Sequence, residues 1–577
     1  MATPAKRVPA DQRGIDATRL RVLENIQDRL LWLSTAIVDH ANRLRPNPSS
    51  LKVGGHQASS ASVISIVTAL FFDFMRAGDR ISVKPHASPA LQAAHYLLGN
   101  LEQRYLTTLR EFGGLQAYPS RTKDVYPVDF STGSVGLGAI APNLAALVHR
   151  YVNFRFGTDG HPDRRFLAIV GDTELDEGSI WEAIAEPALA NLDNIIWVID
   201  VNRQSLDRGV PGIRVKQLEE MFRANGWTVP EAKYGRRLRT IFCAPGGGAL
   251  KQRIDDMDNE EYQLLLRSDA ATVRRAFGED VLRHLSDQDV HRTVADLGGH
   301  DLVILPDMLA SADAATTPAV IFAYTIKGWG LPIAGDPLNH SALLTAEQMD
   351  TLRDRLHVSP DDIWSTFPAG SPERALCDER RHALAPPSGP RPIGRDYSLP
   401  DDLGRDYGKL TSTQRAFGQI LTSILRSAPA AGDRIVTISP DVATSTNFGG
   451  WINRVGVWHP HETPDLFTAL GPRLIQWERK PKGQHMELGL GISETNLMMA
   501  LGRFGLAAEM TGEPLLPIGT LYDPFIARAL DALIYGLYAG GRFIIVGTPS
   551  GVSLAPEGGA HQSVVTPPIG LALPQLV

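Results

Sequence analysis

The residues best suited to chemistry in this sequence lie in one stretch, FLAIVGDTELDEGSIWEAIAEPALANLDNIIWVIDVNRQSLD, which begins at Phe166. Asp172 offers a carboxylate, Asn202 an amide oxygen, and the backbone carbonyl of Gln204 a third oxygen. Mg²⁺ prefers hard oxygen ligands and usually takes one or two carboxylates together with phosphate oxygens. Gly171, just before the aspartate, lets the backbone come close to a diphosphate. These types at this spacing read as a site for a magnesium–diphosphate group.

Such a site needs elements that bring its two polar clusters together. The apolar run Phe166–Val170 reads as a strand, Gly178–Leu189 as a helix, and Ile195–Ile199 as a second strand that ends at Asp200. Both clusters then follow the carboxyl ends of parallel strands, where open α/β sheets bind ligands. Ala319–Ala323 is a further short apolar run, and the pattern recurs in Arg434–Ile438 and Arg542–Val546. Runs of this kind bounded by turns suit buried parallel strands. Between the two groups, Ala385 to Arg405 is rich in Pro, Gly and charge. The expected class is α/β in two domains, 1–390 and 391–577, each a mostly parallel sheet flanked by helices.

Composition narrows the partners. The 577 residues carry 57 Lys and Arg against 64 Asp and Glu, a net charge of −7, so no basic surplus points to nucleic acid. Two cysteines, Cys243 and Cys377, fit a reducing cytoplasm better than a disulfide framework. The polar start, Met1 to Arg19, lacks the apolar core of a signal peptide. Ala61 to Met75 is too short to span a bilayer and reads as a buried amphipathic helix.

Three more segments carry a family resemblance: VGGHQASS from Val53, DRISVKPHASP from Asp79, and TIKGWG from Thr325 with His340 beyond it. With the metal motif, they resemble the homodimeric pyruvate dehydrogenase E1 component and, more distantly, transketolase, both dependent on thiamine diphosphate. The family's Gly-Asp-Gly, followed by Asn, is met by Gly171, Asp172 and Asn202, but Thr173 replaces the second glycine. The resemblance implies active-site roles for His56, His86, His340 and His561, and places Lys327 near the diphosphate or the substrate carboxylate. Histidines can move protons near neutral pH and stabilise a developing negative charge. HPHE at His459 matches no family motif and reads as a surface loop.

In the second half, HMELGLGISETNLMM from His485 resembles the family's pyrimidine-binding domain. The resemblance makes Glu494 the carboxyl that bonds N1′ of the aminopyrimidine and activates the cofactor. It places Tyr522 against the pyrimidine, and it implies a homodimer with shared active sites. The expected reaction is thiamine diphosphate- and Mg²⁺-dependent decarboxylation of a 2-oxo acid, pyruvate first, with transfer of the acyl unit to a lipoyl group (a lipoyl E2 partner) or another acceptor. The dehydrogenase branch is favoured by Gly54-Gly-His56 and by Glu557 before His561. Transketolase-like ketol transfer is favoured by Glu177 and Glu182, which match a glutamate pair of that branch. Val442 departs from the dehydrogenase pattern, which has a glutamate there. By the resemblance, the family's third domain and the end of the second sheet are expected to be missing after Val577: either a separate chain supplies that domain or this is a fragment or degenerate paralogue, and a non-catalytic assembly subunit is a further alternative.

Overall fold

A computed structural model describes residues 16–49, 51–157, 164–204, 214–385, 398, 406–407, 409–471, 475–552 and 554–577. The chain divides into two compact units. The first comprises 1–139, 165–176 and 193–387; the second comprises 140–164, 177–192 and 388–577. Most of the Pro-rich seam lies outside the described residues. Two stretches from the first half of the chain, 140–164 and 177–192, belong to the second unit, a split that no composition change announces.

The first unit is built on a five-stranded sheet with order β1-β2-β3-β5-β4. Its strands are Arg80–Val83 (β1), Phe166–Gly171 (β2), Ile195–Val201 (β3), Glu231–Ala232 (β4) and Ala319–Tyr324 (β5), and all pair in parallel. Every residue of β2, β3 and β5 is buried, which explains continuous apolar runs in place of alternation. The register sets Val83 beside Ile169, Gly171 beside Asp200, and Asp200 beside Ala323. All the carboxyl ends therefore open at one edge.

The second unit holds a six-stranded sheet, β11-β10-β6-β9-β7-β8. Its strands are Ile435–Ser439 (β6), Val457–Trp458 (β7), Arg479–Lys480 (β8), His485–Glu487 (β9), Leu516–Leu521 (β10) and Ile544–Gly547 (β11), again all parallel. The protein is thus α/β with two parallel sheets flanked by helices. Among the described residues, no helix is long and apolar enough to cross a membrane.

Two expected helices take other forms. The helix from Gly178 stops at Ile184, and a 3₁₀ turn, Pro187–Leu189, follows. Pro187 has no N–H to continue the ladder and restricts the residue before it. Ala61–Met75 is not amphipathic. It breaks into helix Gln57–Ser62, helix Ile64–Ala69 and a π-helical turn Leu70–Phe74. Ser59, Ser60, Ser62, Ser65 and Thr68 are buried with the apolar residues, because some of them have internal partners: the Thr68 hydroxyl donates to Ile64 O at 2.7 Å.

Ser62 leads to the node that joins these elements. Its hydroxyl lies 2.7 Å from both carboxylate oxygens of Asp200, which has no exposed surface. Asp200 also accepts from the Lys84 ammonium after β1, from the Thr325 hydroxyl after β5, and from Asn202 Nδ2 at 2.8 Å. Although burial pushes the Asp200 carboxyl up, Lys84 and the hydroxyl donors hold it below its ordinary value. Asp200→Ala would leave the Lys84 ammonium buried without its counter-charge. It should cost about 3–5 kcal/mol, read as a lower urea midpoint in equilibrium unfolding; an unchanged midpoint would show that the node does not hold the sheet edge.

Candidate functional site

At the end of β2, Asp172 begins a 3₁₀ turn, Asp172–Asp176. Its carboxylate accepts from Thr173 N at 2.9 Å and from Arg203 N at 2.6 Å. The turn keeps φ negative at Thr173, so a β-branched residue fits where the family has glycine; Arg203 takes the left-handed conformation instead, at φ 60°. Asn202 donates to Asp200 and its Oδ1 accepts from Gln204 N at 3.1 Å. The Gln204 amide donates to Gln263 and to Asp336 O, while its Oε1 is buried with no partner. A Cβ added to Gly171 would meet nothing closer than 3.6 Å, so packing within the chain does not demand glycine there. Glu174 holds the turn by accepting from Gly171 N at 2.9 Å and Gly136 N at 3.1 Å.

These residues fit a magnesium–diphosphate group. A carboxylate and an amide oxygen, each with acceptor capacity left, adjoin a glycine backbone. Burial, then repulsion from Asp200, pushes the Asp172 carboxyl up to about 6; a divalent cation there would offset that surplus of negative charge.

Three histidines gather beside this edge. His56 stacks on His86 with ring centroids 4.0 Å apart, and His340 lies 4.9 and 5.0 Å from them. His340 Nδ1 is 3.2 Å from the buried Lys327 ammonium. His86 is carried by the 3₁₀ turn Pro85–Ala87 after β1, and His56 precedes helix Gln57–Ser62. Burial first, then the neighbouring histidines and cations, holds His56 down at about 2 and His86 at about 3. Lys327 is lowered to about 8 by burial and by Lys84. The His56 and His86 rings are therefore neutral near pH 7, able to accept a proton or donate a hydrogen bond.

Lys84, Asp200 and His300 were not among the residues expected from the sequence. His300 Nε2 accepts from Ile326 N at 2.9 Å, which leaves its Nδ1 protonated toward Ser65 Oγ at 3.3 Å. It stacks on Trp329 at 4.7 Å and so fastens the loop that carries Lys327. The available signal was an aspartate closing the apolar run of β3, since a buried carboxylate requires a counter-charge.

The other predicted residues belong to the second unit. Glu494 opens helix Glu494–Phe504 and is buried. Arg528 Nη1 donates to both of its oxygens, at 3.0 and 2.9 Å. Tyr522 packs 5.2 Å from the His561 ring and donates to Ser445 Oγ at 2.9 Å. Glu177 is exposed at the start of helix Gly178–Ile184, while Glu182 accepts from Asn496 N at 3.3 Å. Arg528 was also missed; nothing in the local pattern marks it. His461 N lies 3.1 Å from His459 Nδ1, and His459 N donates to Lys480 O at 3.1 Å.

Residues 54–246 match the family model of the transketolase thiamine diphosphate binding domain. The chain is 28% identical to the pyruvate dehydrogenase E1 component of Cupriavidus necator, over 96% of this chain and 64% of that protein. It is 27% identical to the E1 component of Escherichia coli K12, over 96% of this chain and 65% of that one. The chain therefore spans somewhat less than two thirds of these relatives' length. Among solved structures, the transketolases of Campylobacter jejuni and Leishmania mexicana share its fold. Their TM-scores are 0.68 and 0.65, at 17% and 18% identity, over 96% of this chain and 73% and 72% of theirs. The chain is thus similar to the E1 components in sequence and to transketolase in fold.

The histidine cluster dictates an acid sensitivity. The unfolded chain binds protons near the ordinary histidine value of 6.5, whereas folded His56 and His86 resist protonation down to about 2 and 3. The stability tied to these neutral rings is complete above pH 6.5 and falls as the pH drops toward the folded values. Unfolding titrations between pH 7 and 4 should show that slope, and His56→Gln with His86→Gln should flatten it. An equal slope in the double variant would contradict the cluster's electrostatics.

Proposed function

We propose that this chain performs thiamine diphosphate- and Mg²⁺-dependent decarboxylation of a 2-oxo acid, pyruvate first, and passes the two-carbon acyl unit to a lipoyl group or another acceptor. The observation that carries the reading is the juxtaposition at one sheet edge of hard oxygen donors, three clustered histidines and a buried lysine. The E1 relatives support the dehydrogenase branch.

In this reading Asp172, Asn202 and the Gln204 carbonyl hold the metal, with Gly171 against the diphosphate. Thiamine diphosphate, when bound, supplies a carbon nucleophile for the substrate carbonyl and takes up the electron pair left by CO₂. Lys327 attracts the substrate carboxylate. His56, His86 and His340 donate hydrogen bonds to the carbonyl oxygen and exchange its proton. The first segment, 1–390, is the diphosphate domain. The second, 391–577, is the pyrimidine domain, in which Glu494 tunes the cofactor, Tyr522 stacks on its pyrimidine and His561 is a further active-site histidine; Glu177 belongs to the cofactor surroundings. The working form is a cytoplasmic homodimer, with a lipoyl E2 as acceptor.

The transketolase fold and the Glu177 and Glu182 pair favour a second reading, ketol transfer. The purified chain with thiamine diphosphate and Mg²⁺ should release ¹⁴CO₂ from [1-¹⁴C]pyruvate. Two-carbon transfer from a sugar phosphate without CO₂ release would replace the first reading by the second. Calorimetry tests the metal assignment: Asp172→Ala should lose the Mg²⁺-dependent part of thiamine diphosphate binding, and wild-type affinity in Mg²⁺ would remove Asp172 from the site.

A further inference from the structure

Arg528 lies in the 3₁₀ segment Asp523–Ala529, directly after Tyr522. Its forked bond reaches a Glu494 side chain that is 5% exposed, while its own side chain is 47% exposed. The guanidinium sits over the Phe525 ring, 4.4 Å from the centroid, and Phe525 packs edge-on to His561 at 5.5 Å. Arginine thus connects the buried glutamate to the aromatic residues around His561.

A carboxylate this deep needs compensation. The helix start at Glu494 supplies some, since the N-terminus favours negative charge. Glu182 works against it. Burial, and then the charge of Glu494, pushes the Glu182 carboxyl up, while Arg528 pulls it down. Among the described residues, Arg528 is the cation paired with Glu494. One N–H shared between two oxygens still leaves acceptor capacity on each.

We propose that Arg528 is a positioning residue that holds the Glu494 carboxylate in one orientation, ready to accept a hydrogen bond from a protonated ring nitrogen of an aminopyrimidine. The proposal rests on the reading of Glu494 as the cofactor-tuning carboxyl. Phe525 fixes the guanidinium from its flat face, so the pair is held from both sides. Removing the cation would leave the buried Glu494 carboxylate beside Glu182 with only the helix start to hold it in place.

The test uses the full chain, with thiamine diphosphate and Mg²⁺ as the probe. Arg528→Met should weaken cofactor binding by about tenfold, the loss of one charge-assisted hydrogen bond. Arg528→Lys should recover most of the affinity, and it also serves if the methionine variant fails to fold. In a Glu494→Gln background the Arg528 substitutions should change binding less than about twofold, because coupled residues are not additive. Equal losses in both backgrounds would overturn the proposal. Glu494→Gln alone should abolish hydrogen–deuterium exchange at the cofactor C2; wild-type exchange would sink the reading of Glu494 instead. The pairing itself is then read without cofactor. The infrared carboxylate band lost in Glu494→Gln should shift in frequency in Arg528→Met, and an unshifted band would overturn the positioning role.

Discussion

The carboxylate of Asp200 is the constraint on which the first unit depends. It sits in a dry interior and must be satisfied from every side. Its partners come from different elements: Lys84 after β1, Ser62 on the segment that follows His56, Thr325 after β5, and Asn202 two residues on. No one of these segments can shift without unpairing a buried charge. The network that closes the sheet edge is therefore the one that sets where His56, His86, Lys327 and Asn202 stand.

This node also shapes the electrostatics around it. Asp172 is pushed up by burial and by Asp200, while Lys327 is pushed down by burial and by Lys84. Both shifts disfavour charge on these two groups. His56 and His86 follow the same logic, since burial and nearby cations keep them neutral. Neutral rings next to an ammonium and a carboxylate give an edge that welcomes an anionic ligand bearing its own cation. That is the physical basis of the diphosphate reading.

The second unit uses a smaller version of the same device. Glu494 is buried at a helix start and bonded to Arg528, whose guanidinium rests on Phe525. In both units a buried carboxylate is tied to a cation on a neighbouring segment, and the functional candidates surround that pair.

Much of the first sheet was legible in the sequence. The runs at Phe166, Ile195 and Ala319 became β2, β3 and β5 within two residues of their expected ends, because strands buried on both faces leave unbroken apolar runs. The polar residues just beyond them were legible for the same reason: a run that ends in Gly171-Asp172 or in Asp200 and Asn202 has reached the sheet edge. Thr173 marked a departure whose consequence the sequence left open, and the turn accommodates it with negative φ. Only the tertiary structure decided what partners buried polar residues have. The serines from Ser59 to Ser65 suggested a polar face, yet they are enclosed, and Ser62 meets a carboxylate far along the chain. Lys84 and Arg528 carried no local signal, since a cation's importance here comes from the carboxylate opposite it, and sequence spacing says nothing about which segments the fold will bring face to face.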